Sequence, residues 1–283
     1  MFGRKAVMGH GNPLRRHPVP AFYLLAFGFS WLGWVPQALY ARGLFPFDSP
    51  LFSLPGGLGP TLAAVAVVLA LREPAGLRSL FEPLFRWRAS PWRWAFVIGF
   101  WPLVAVVALG IGAVTGQAWP DASRFTWAGL LPVFGVMLLT GAWEEIGWRG
   151  FALPRLQARR PDWQIVLIMG LLSFVWHAPL MLNPESPMAA LPWPGQLLFN
   201  LSLTVIQTWL YQNTARSLFF VSLFHAMSNT LAYVLLGLGV FVSSYGIVVG
   251  VTAIVAMVIL GVYGPRRFGG GSELRPAAMH DTL

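Results

Sequence analysis

Eight apolar stretches recur along the chain, and they constrain its fold more than any other feature. Each approaches the ~20 residues that an α-helix needs to cross a hydrocarbon core. Only 10% of the 283 residues are charged, whereas about a quarter of a typical soluble domain is charged. The sequence therefore predicts an all-α, polytopic transmembrane helical bundle of about eight spans. The spans lie near residues 19–41, 51–71, 92–115, 127–151, 163–182, 194–212, 217–236 and 239–263.

The basic residues divide unequally between the two sides of such a bundle. The opposite loops carry Arg42 and Arg124, and Arg149 lies at a helix end. This bias places both termini in the cytoplasm, in agreement with an even number of spans. The remaining 16 of the 19 basic residues fall on one side: Arg4, Lys5, Arg15, Arg16, Arg72, Arg78, Arg86, Arg88, Arg93, Arg155, Arg159, Arg160, Arg216, Arg266, Arg267 and Arg275.

The charge distribution and the amino-acid composition exclude several classes of function. The net charge of +9 is divided among short runs beside apolar stretches, so we interpret it as a topology signal and expect no nucleic-acid partner. Cysteine is absent, which excludes disulfides, thiolate metal sites and a cysteine nucleophile. The expected partner is the lipid bilayer.

The chain divides into three predicted parts. Residues 1–18 form a basic cytoplasmic segment without the small-residue cleavage site of a secretory signal, so we expect the first span to be retained. Residues 19–265 form the transmembrane domain. Residues 266–283 are polar and rich in glycine, which is typical of a flexible tail. We expect an integral membrane protein.

Six strongly polar residues lie inside the apolar stretches. A charge at the bilayer centre costs about 2.5–3.5 kcal/mol, so such residues face a protein interior or a water-filled cavity. Because they occupy three different spans, we expect them to converge on one site. They are Glu144, Glu145 and Arg149 in the fourth span, His177 in the fifth, and His225 and Asn229 in the seventh.

Each of these residues also has an ordinary structural interpretation. Glu145 and Arg149 are four residues apart and can neutralise each other, and an arginine near a helix end can extend to the headgroups. A lone His or Asn in a span often joins helices by hydrogen bonds. Glu144 has no partner on its own helix, however, and this favours a shared site.

The depth of these residues is broadly compatible with such a site. Glu144 and His225 each lie about 8–9 residues from a cytoplasmic helix end, or roughly 12–14 Å. His177 comes out deeper if its helix starts at Trp163. Its helix therefore either starts later, near Val166, or is tilted.

The six polar residues belong to three motifs that follow one another along the chain. The first is Glu-Glu-x-x-x-Arg at residues 144–149, the second contains His177 in Ser173-Phe174-Val175-Trp176-His177-Ala178-Pro179-Leu180, and the third is His-x-x-x-Asn at residues 225–229. Together they resemble the CPBP intramembrane proteases, which include the type II CAAX prenyl endopeptidase and bacterial Abi proteins linked to bacteriocin processing and self-immunity. The motif core covers residues 141–230. Ser173 departs from the endopeptidase version, which has Phe there, and this leaves the CAAX-type substrate open.

The resemblance implies an endopeptidase that hydrolyses a peptide bond in or near the membrane. In the third motif, His225 and Asn229 lie one turn apart on one face of the helix, and this arrangement suits a pair of donors to a developing oxyanion. The implied roles are a general base (Glu144) with an assisting imidazole (His177), two oxyanion donors (His225 and Asn229), and an orienting pair (Glu145 and Arg149).

The family's frequent description as metalloproteases raises the question of zinc. Zinc is possible, with Glu144, His177 and His225 as its three protein ligands. The chain lacks a His-Glu-x-x-His helix, which places two ligands and a base on one face, and the asparagine is a poor zinc ligand. We therefore favour no cofactor and a glutamate that activates water directly.

Two other functions fit a membrane protein with intramembrane Glu and His. One is a transporter or proton relay, which predicts two related halves, and we find no internal repeat. The other is a non-catalytic membrane scaffold involved in bacteriocin self-immunity. For a protease, the expected substrates are membrane-associated proteins or peptides, such as peptide pheromones, bacteriocins or membrane-protein tails.

Overall fold

The computed structural model describes residues 13–117, 120, 123 and 126–269, and these residues contain helices and no strand. Eight long helices dominate the chain, and each begins within a few residues of a predicted apolar stretch. The all-α helical bundle is therefore confirmed. The helices are α1 Pro18–Tyr40, α2 Ser53–Leu71, α3 Pro91–Val114, α4 Leu130–Glu145, α5 Asp162–Trp176, α6 Trp193–Asn213, α7 Leu218–Gly237 and α8 Phe241–Tyr263.

Six helical segments of the described residues are both long and apolar enough to cross a membrane. The other two are α5, which has 15 residues, and α6, which carries many polar side chains. After α5 the chain continues into a short helix, Ala178–Leu182. The Leu182 carbonyl accepts a 2.6 Å hydrogen bond from Arg42, in the loop after α1. The α5 segment therefore crosses the bundle, and about eight spans agrees approximately with the structure.

The links that carry most basic residues meet at one end of the bundle. Arg155, after α4, pairs with Glu73, after α2, at 2.7 Å. Arg86, before α3, donates a 3.1 Å hydrogen bond to the carbonyl of Ala215, after α6. Which side of a membrane this end faces stays a prediction. Four charged residues of that prediction, Arg4, Lys5, Arg124 and Arg275, lie outside the described residues.

The chain after α8 folds back onto the start of α5. The backbone amides of Asp162 and Trp163 donate to the carbonyls of residues 266 and 265, both at 3.0 Å, and Phe268 is fully buried. Residues 266–268, which the sequence assigns to the start of the tail, are thus held against the bundle, because free N–H groups at a helix start and an apolar ring both gain partners there. The division of the chain into three parts stays a prediction. Residues 270–283, like the segment 1–12, lie outside the described residues.

Two glycines let the end of α4 and the residues that follow it approach their neighbours closely. A Cβ on Gly141 would lie 3.3 Å from the Ser222 carbonyl oxygen of α7, and a Cβ on Gly147 only 2.5 Å from the Pro60 carbonyl oxygen of α2. Small residues at such crossings allow helix backbones to pack together in a membrane. The segment between the two glycines is therefore held tightly between α2 and α7.

Candidate active site

The four residues predicted to act on a substrate line one cavity of about 220 Å³. Glu144 comes from α4, His177 follows α5, and His225 and Asn229 lie one turn apart on α7. The structure thus brings together side chains from three segments, as the pattern of polar residues predicts. Their individual roles stay predictions.

The first motif lies where the helix changes its winding. α4 ends at Glu145 and continues as a π-helix, Ile146–Ala152, before a last α-helical turn. π-helical turns are rare, and they are frequently found at functional sites. Arg149 lies within the π-helix and is almost fully buried. Its guanidinium remains on the side of Glu145, so the ion pair expected from their spacing is present at 3.0 Å.

Glu145 is the centre of a buried hydrogen-bond network. Its Oε1 accepts from Arg149 Nη1 at 3.0 Å, from Gln207 Nε2 at 3.3 Å and from His225 Nδ1 at 2.8 Å. Because an ionised carboxylate only accepts, His225 carries its proton on Nδ1. Glu145 Oε2 is buried and makes no hydrogen bond within the part of the chain that the structure describes. Glu145 is therefore bonded to two of the other predicted site residues, Arg149 and His225, while its orienting role stays a prediction.

Glu144 differs from its neighbour in being open to the cavity. Its side chain is 14% exposed, while that of Glu145 is 0% exposed. The Nε2 atom of His225 lies 3.9 Å from Glu144 Oε2. His225 thus has one ring nitrogen bound to the sealed carboxylate and the other turned toward the open one.

His177 is held in one tautomer by its own helix. Its Nδ1 lies 2.8 Å from the Ser173 carbonyl oxygen, so Nδ1–H donates there and Nε2 of a neutral ring is a free acceptor. The ring packs between Trp34, stacked at 6.3 Å, and Trp176, edge-on at 4.7 Å. His177 also lines the cavity.

The depth of His177 left two alternatives, a later start of its helix or a tilt, and the observed start of α5 tests the first. The helix begins at Asp162, so a later start near Val166 is wrong. It ends at Trp176, and His177 stands at the junction with the short helix that follows. Pro179 accounts for this break, because it has no N–H to donate to the carbonyl of Val175 and its ring would clash with that carbonyl in a continuous α-helix.

Sequence reasoning missed a polar stripe on α6 that also lines the cavity. Its members follow one helical face, at spacings of four, four and three residues. That periodicity within a span was a usable signal, but neutral amides and hydroxyls stand out less than charges do. The stripe consists of Gln196, Asn200, Thr204 and Gln207.

Most of the remaining cavity wall is apolar. It is formed by α3, α6, α7 and the start of α8, so the catalytic candidates lie at the boundary between a polar and an apolar compartment. Such a combination is typical of a ligand site in which a few polar groups fix orientation. The apolar lining includes Trp101, Phe199, Leu203, Leu231, Leu235, Phe241 and Val248.

The structure gives limited support for the zinc alternative. Among the described residues, no group of three or more His, Cys, Asp or Glu side chains is arranged to hold a metal ion. The three predicted zinc ligands, Glu144, His177 and His225, share the cavity wall but do not form such a group. Because this donor set does not fit, we derive no step through a metal; the cofactor prediction itself stays untested.

Two comparisons with known proteins bear on this site. Residues 125–231 match the family model described as type II CAAX prenyl endopeptidase Rce1-like. A curated relative, "CAAX prenyl protease 2" of Methanococcus maripaludis, is 24% identical over 222 residues, which cover 74% of this chain and 81% of the relative.

The matched stretch contains all three motifs and the whole set of catalytic candidates. The curated relative extends the similarity over most of both chains. The family model is described as a CAAX prenyl endopeptidase and the relative as a CAAX prenyl protease. Both descriptions support a hydrolase of the protease class. A particular link to the bacterial Abi proteins is not shown and stays a prediction. By its motifs and these two matches, the chain is similar to the CPBP family of intramembrane proteases.

Proposed function

We propose that the protein is an intramembrane endopeptidase in which Glu144 activates the water that attacks a peptide bond. One observation carries this proposal: two adjacent carboxylates have opposite environments. Glu144 is open to the cavity, while Glu145 is sealed and bound by donors. Different environments give neighbouring carboxyl groups different roles in catalysis.

The proposed reaction uses side chains that line the cavity. Glu144 accepts a proton from water while the water oxygen attacks the substrate carbonyl carbon, and a tetrahedral oxyanion forms. His177 assists through the free lone pair of Nε2. The C–N bond then breaks, and the proton held by Glu144 passes to the leaving amine, so that atoms and charge balance.

The oxyanion needs donors on the other side of the substrate carbonyl. Asn229 supplies an amide N–H, and His225 supplies Nε2–H when its ring is cationic. Since Nδ1 of His225 already donates to Glu145, that carboxylate balances the imidazolium charge. Arg149 in turn holds Glu145.

The substrate we propose is a membrane-associated protein or peptide with an apolar group near the scissile bond. The apolar wall of the cavity would receive that group, and Gln196, Asn200 and Thr204 of the α6 stripe would face the peptide backbone. A prenylated CAAX sequence is one candidate, from the name of the curated relative. Peptide pheromones, bacteriocins and membrane-protein tails are the others.

Comparative peptidomics tests the proposal. Membranes from cells expressing the wild-type protein and the Glu144→Ala variant are compared, with Glu185→Ala as a matched control, since Glu185 is an exposed loop glutamate. We expect peptide termini that are present with wild type and Glu185→Ala and absent with Glu144→Ala. Identical peptide sets in all three samples would contradict an endopeptidase and favour a scaffold, whose function survives Glu144→Ala.

We also propose a bacterial inner-membrane location with both termini in the cytoplasm. The chain has no cysteine, so single cysteines report topology without background. In intact cells, a membrane-impermeant maleimide should label Glu185→Cys and should spare Arg159→Cys until the cells are lysed. The reverse pattern would overturn the orientation.

A further inference from the structure

Gln207 of α6 bridges the two orienting residues of the first motif. Its Oε1 accepts from Arg149 Nη2 at 2.6 Å, and its Nε2 donates to Glu145 Oε1 at 3.3 Å. The side chain is almost fully buried, with 3% of the residue exposed. None of the three sequence motifs contains this residue.

The orientation of the Gln207 amide is fixed by chemistry. A guanidinium only donates, so the atom that faces Arg149 must be the amide oxygen, and the amide nitrogen must face the carboxylate. Together with the Arg149–Glu145 bond at 3.0 Å, these contacts close a ring of three side chains. The ring ties α6 to the junction between α4 and the π-helix.

The ring acts on one particular oxygen. Both Gln207 and Arg149 donate to Glu145 Oε1, which is also the atom that accepts from His225 Nδ1. The other oxygen, Oε2, makes no hydrogen bond within the described residues. A carboxylate held through one oxygen alone can turn about its terminal bond, so its donors determine which oxygen His225 meets.

We propose that Gln207 is a positioning residue that fixes the Glu145 carboxylate and, through it, the His225 imidazole. The inference rests on the proposed endopeptidase function and adds a residue from a fourth helix to that site. Gln207 does not need to touch the substrate to serve it. Its effect falls on the chemical step, because the oxyanion donor must be aligned in the transition state.

The test uses the purified full-length chain in lipid nanodiscs with two probes. One is a synthetic peptide that spans a cleavage site found by peptidomics, and the other is a farnesylated CAAX peptide. For Gln207→Leu we expect kcat to fall roughly 10- to 100-fold, the usual effect of losing a supporting hydrogen-bond partner. KM should stay within about twofold, since the cavity wall keeps its volume.

Gln212→Leu is the matched control. Gln212 lies on the same helix, and its Nε2 donates to Asp162 Oδ2 at 2.7 Å, away from the Glu145 network. This variant should lower the melting temperature and leave kcat unchanged. Gln207→Asn is the second test variant, because its amide is one methylene too short to reach both partners and should lower kcat without adding an apolar group.

A double mutant separates positioning from general structural damage. In a Glu145→Gln background, Gln207→Leu should lower kcat less than about twofold further, because residues that act as a unit are not additive. Wild-type kcat in both Gln207 variants, or a full additional loss in the double mutant, would overturn the inference alone. Failure of the wild-type protein to cleave either probe would overturn the proposed function and the inference with it.

Discussion

Two carboxylates among the described residues are fully buried, and they are bound in different ways. Asp162 shares its partners between both oxygens. Its Oδ2 accepts from Gln212 at 2.7 Å and from the Phe268 backbone amide at 2.8 Å, and its Oδ1 accepts from Gln157 at 3.1 Å. Glu145 receives three donors on one oxygen and has no partner for the other among the described residues.

The difference shows that burial alone does not identify a functional group. The partners of Asp162 belong to three chain segments near one end of the bundle, so Asp162 joins α5, α6 and the segment after α8. The partners of Glu145 include His225, which lines the cavity. Loss of the Asp162 carboxylate should affect folding, whereas loss of the Glu145 carboxylate should affect catalysis.

Among the substitutions that test this comparison, Glu145→Gln should have the largest effect on activity. The amide keeps the volume, but it cannot balance both Arg149 and an imidazolium, so we expect kcat to fall roughly 1,000-fold, within the range for acid–base partners. The free energy of unfolding should also fall, since Arg149 loses its buried counter-ion. Cleavage assays with the peptide probes, with folding checked by thermal melts, measure both. Activity near the wild-type level would contradict a role for Glu145 in catalysis.

Asp162→Asn should have a smaller effect, and on stability alone. The new NH₂ group faces donors that need an acceptor, so the free energy of unfolding should fall by about 2–3 kcal/mol. A thermal melt in detergent measures this loss. Below the melting temperature kcat should equal that of wild type, because Asp162 is not among the residues that line the cavity. A fall in kcat of the folded variant would show that Asp162 also serves the site.

Ser173→Phe should have the smallest effect, on substrate choice. The Ser173 hydroxyl donates to Asn200 Oδ1 at 2.9 Å on the cavity wall, and a phenyl ring there would make the wall apolar. We expect the ratio of kcat/KM between prenylated and unprenylated peptides to rise about tenfold, or about 1.4 kcal/mol. Competition assays with the two peptides give this ratio directly. An unchanged ratio would mean that Ser173 does not set specificity.

Much of the fold was predictable, because lipid imposes a simple rule on the chain. Apolar stretches of spanning length must become helices, and all eight did. The break at His177 was not predicted, although Pro179 was a signal for it. The π-helix at residues 146–152 has no comparable signal, since the backbone winding depends on packing of residues such as Gly147 against α2.

The site was predictable only where charge made residues conspicuous. Charged groups in an apolar span must face inward, so the convergence of Glu144, His177 and His225 followed from sequence. Gln207 escaped notice because a neutral amide costs less in lipid. Asp162 escaped notice because an acidic residue at a helix start is ordinary, and only its contacts with the returning chain make it structural.

The most direct test of the central claim follows the oxygen of water. Purified wild-type protein in nanodiscs is incubated with the peptide probe in H₂¹⁸O, beside Glu144→Gln. We predict ¹⁸O in the new carboxyl group of the product, and in Glu144→Gln a rate at least roughly 1,000-fold lower at an unchanged melting temperature. Cleavage by folded Glu144→Gln at the wild-type rate would contradict the assignment of Glu144 as the base.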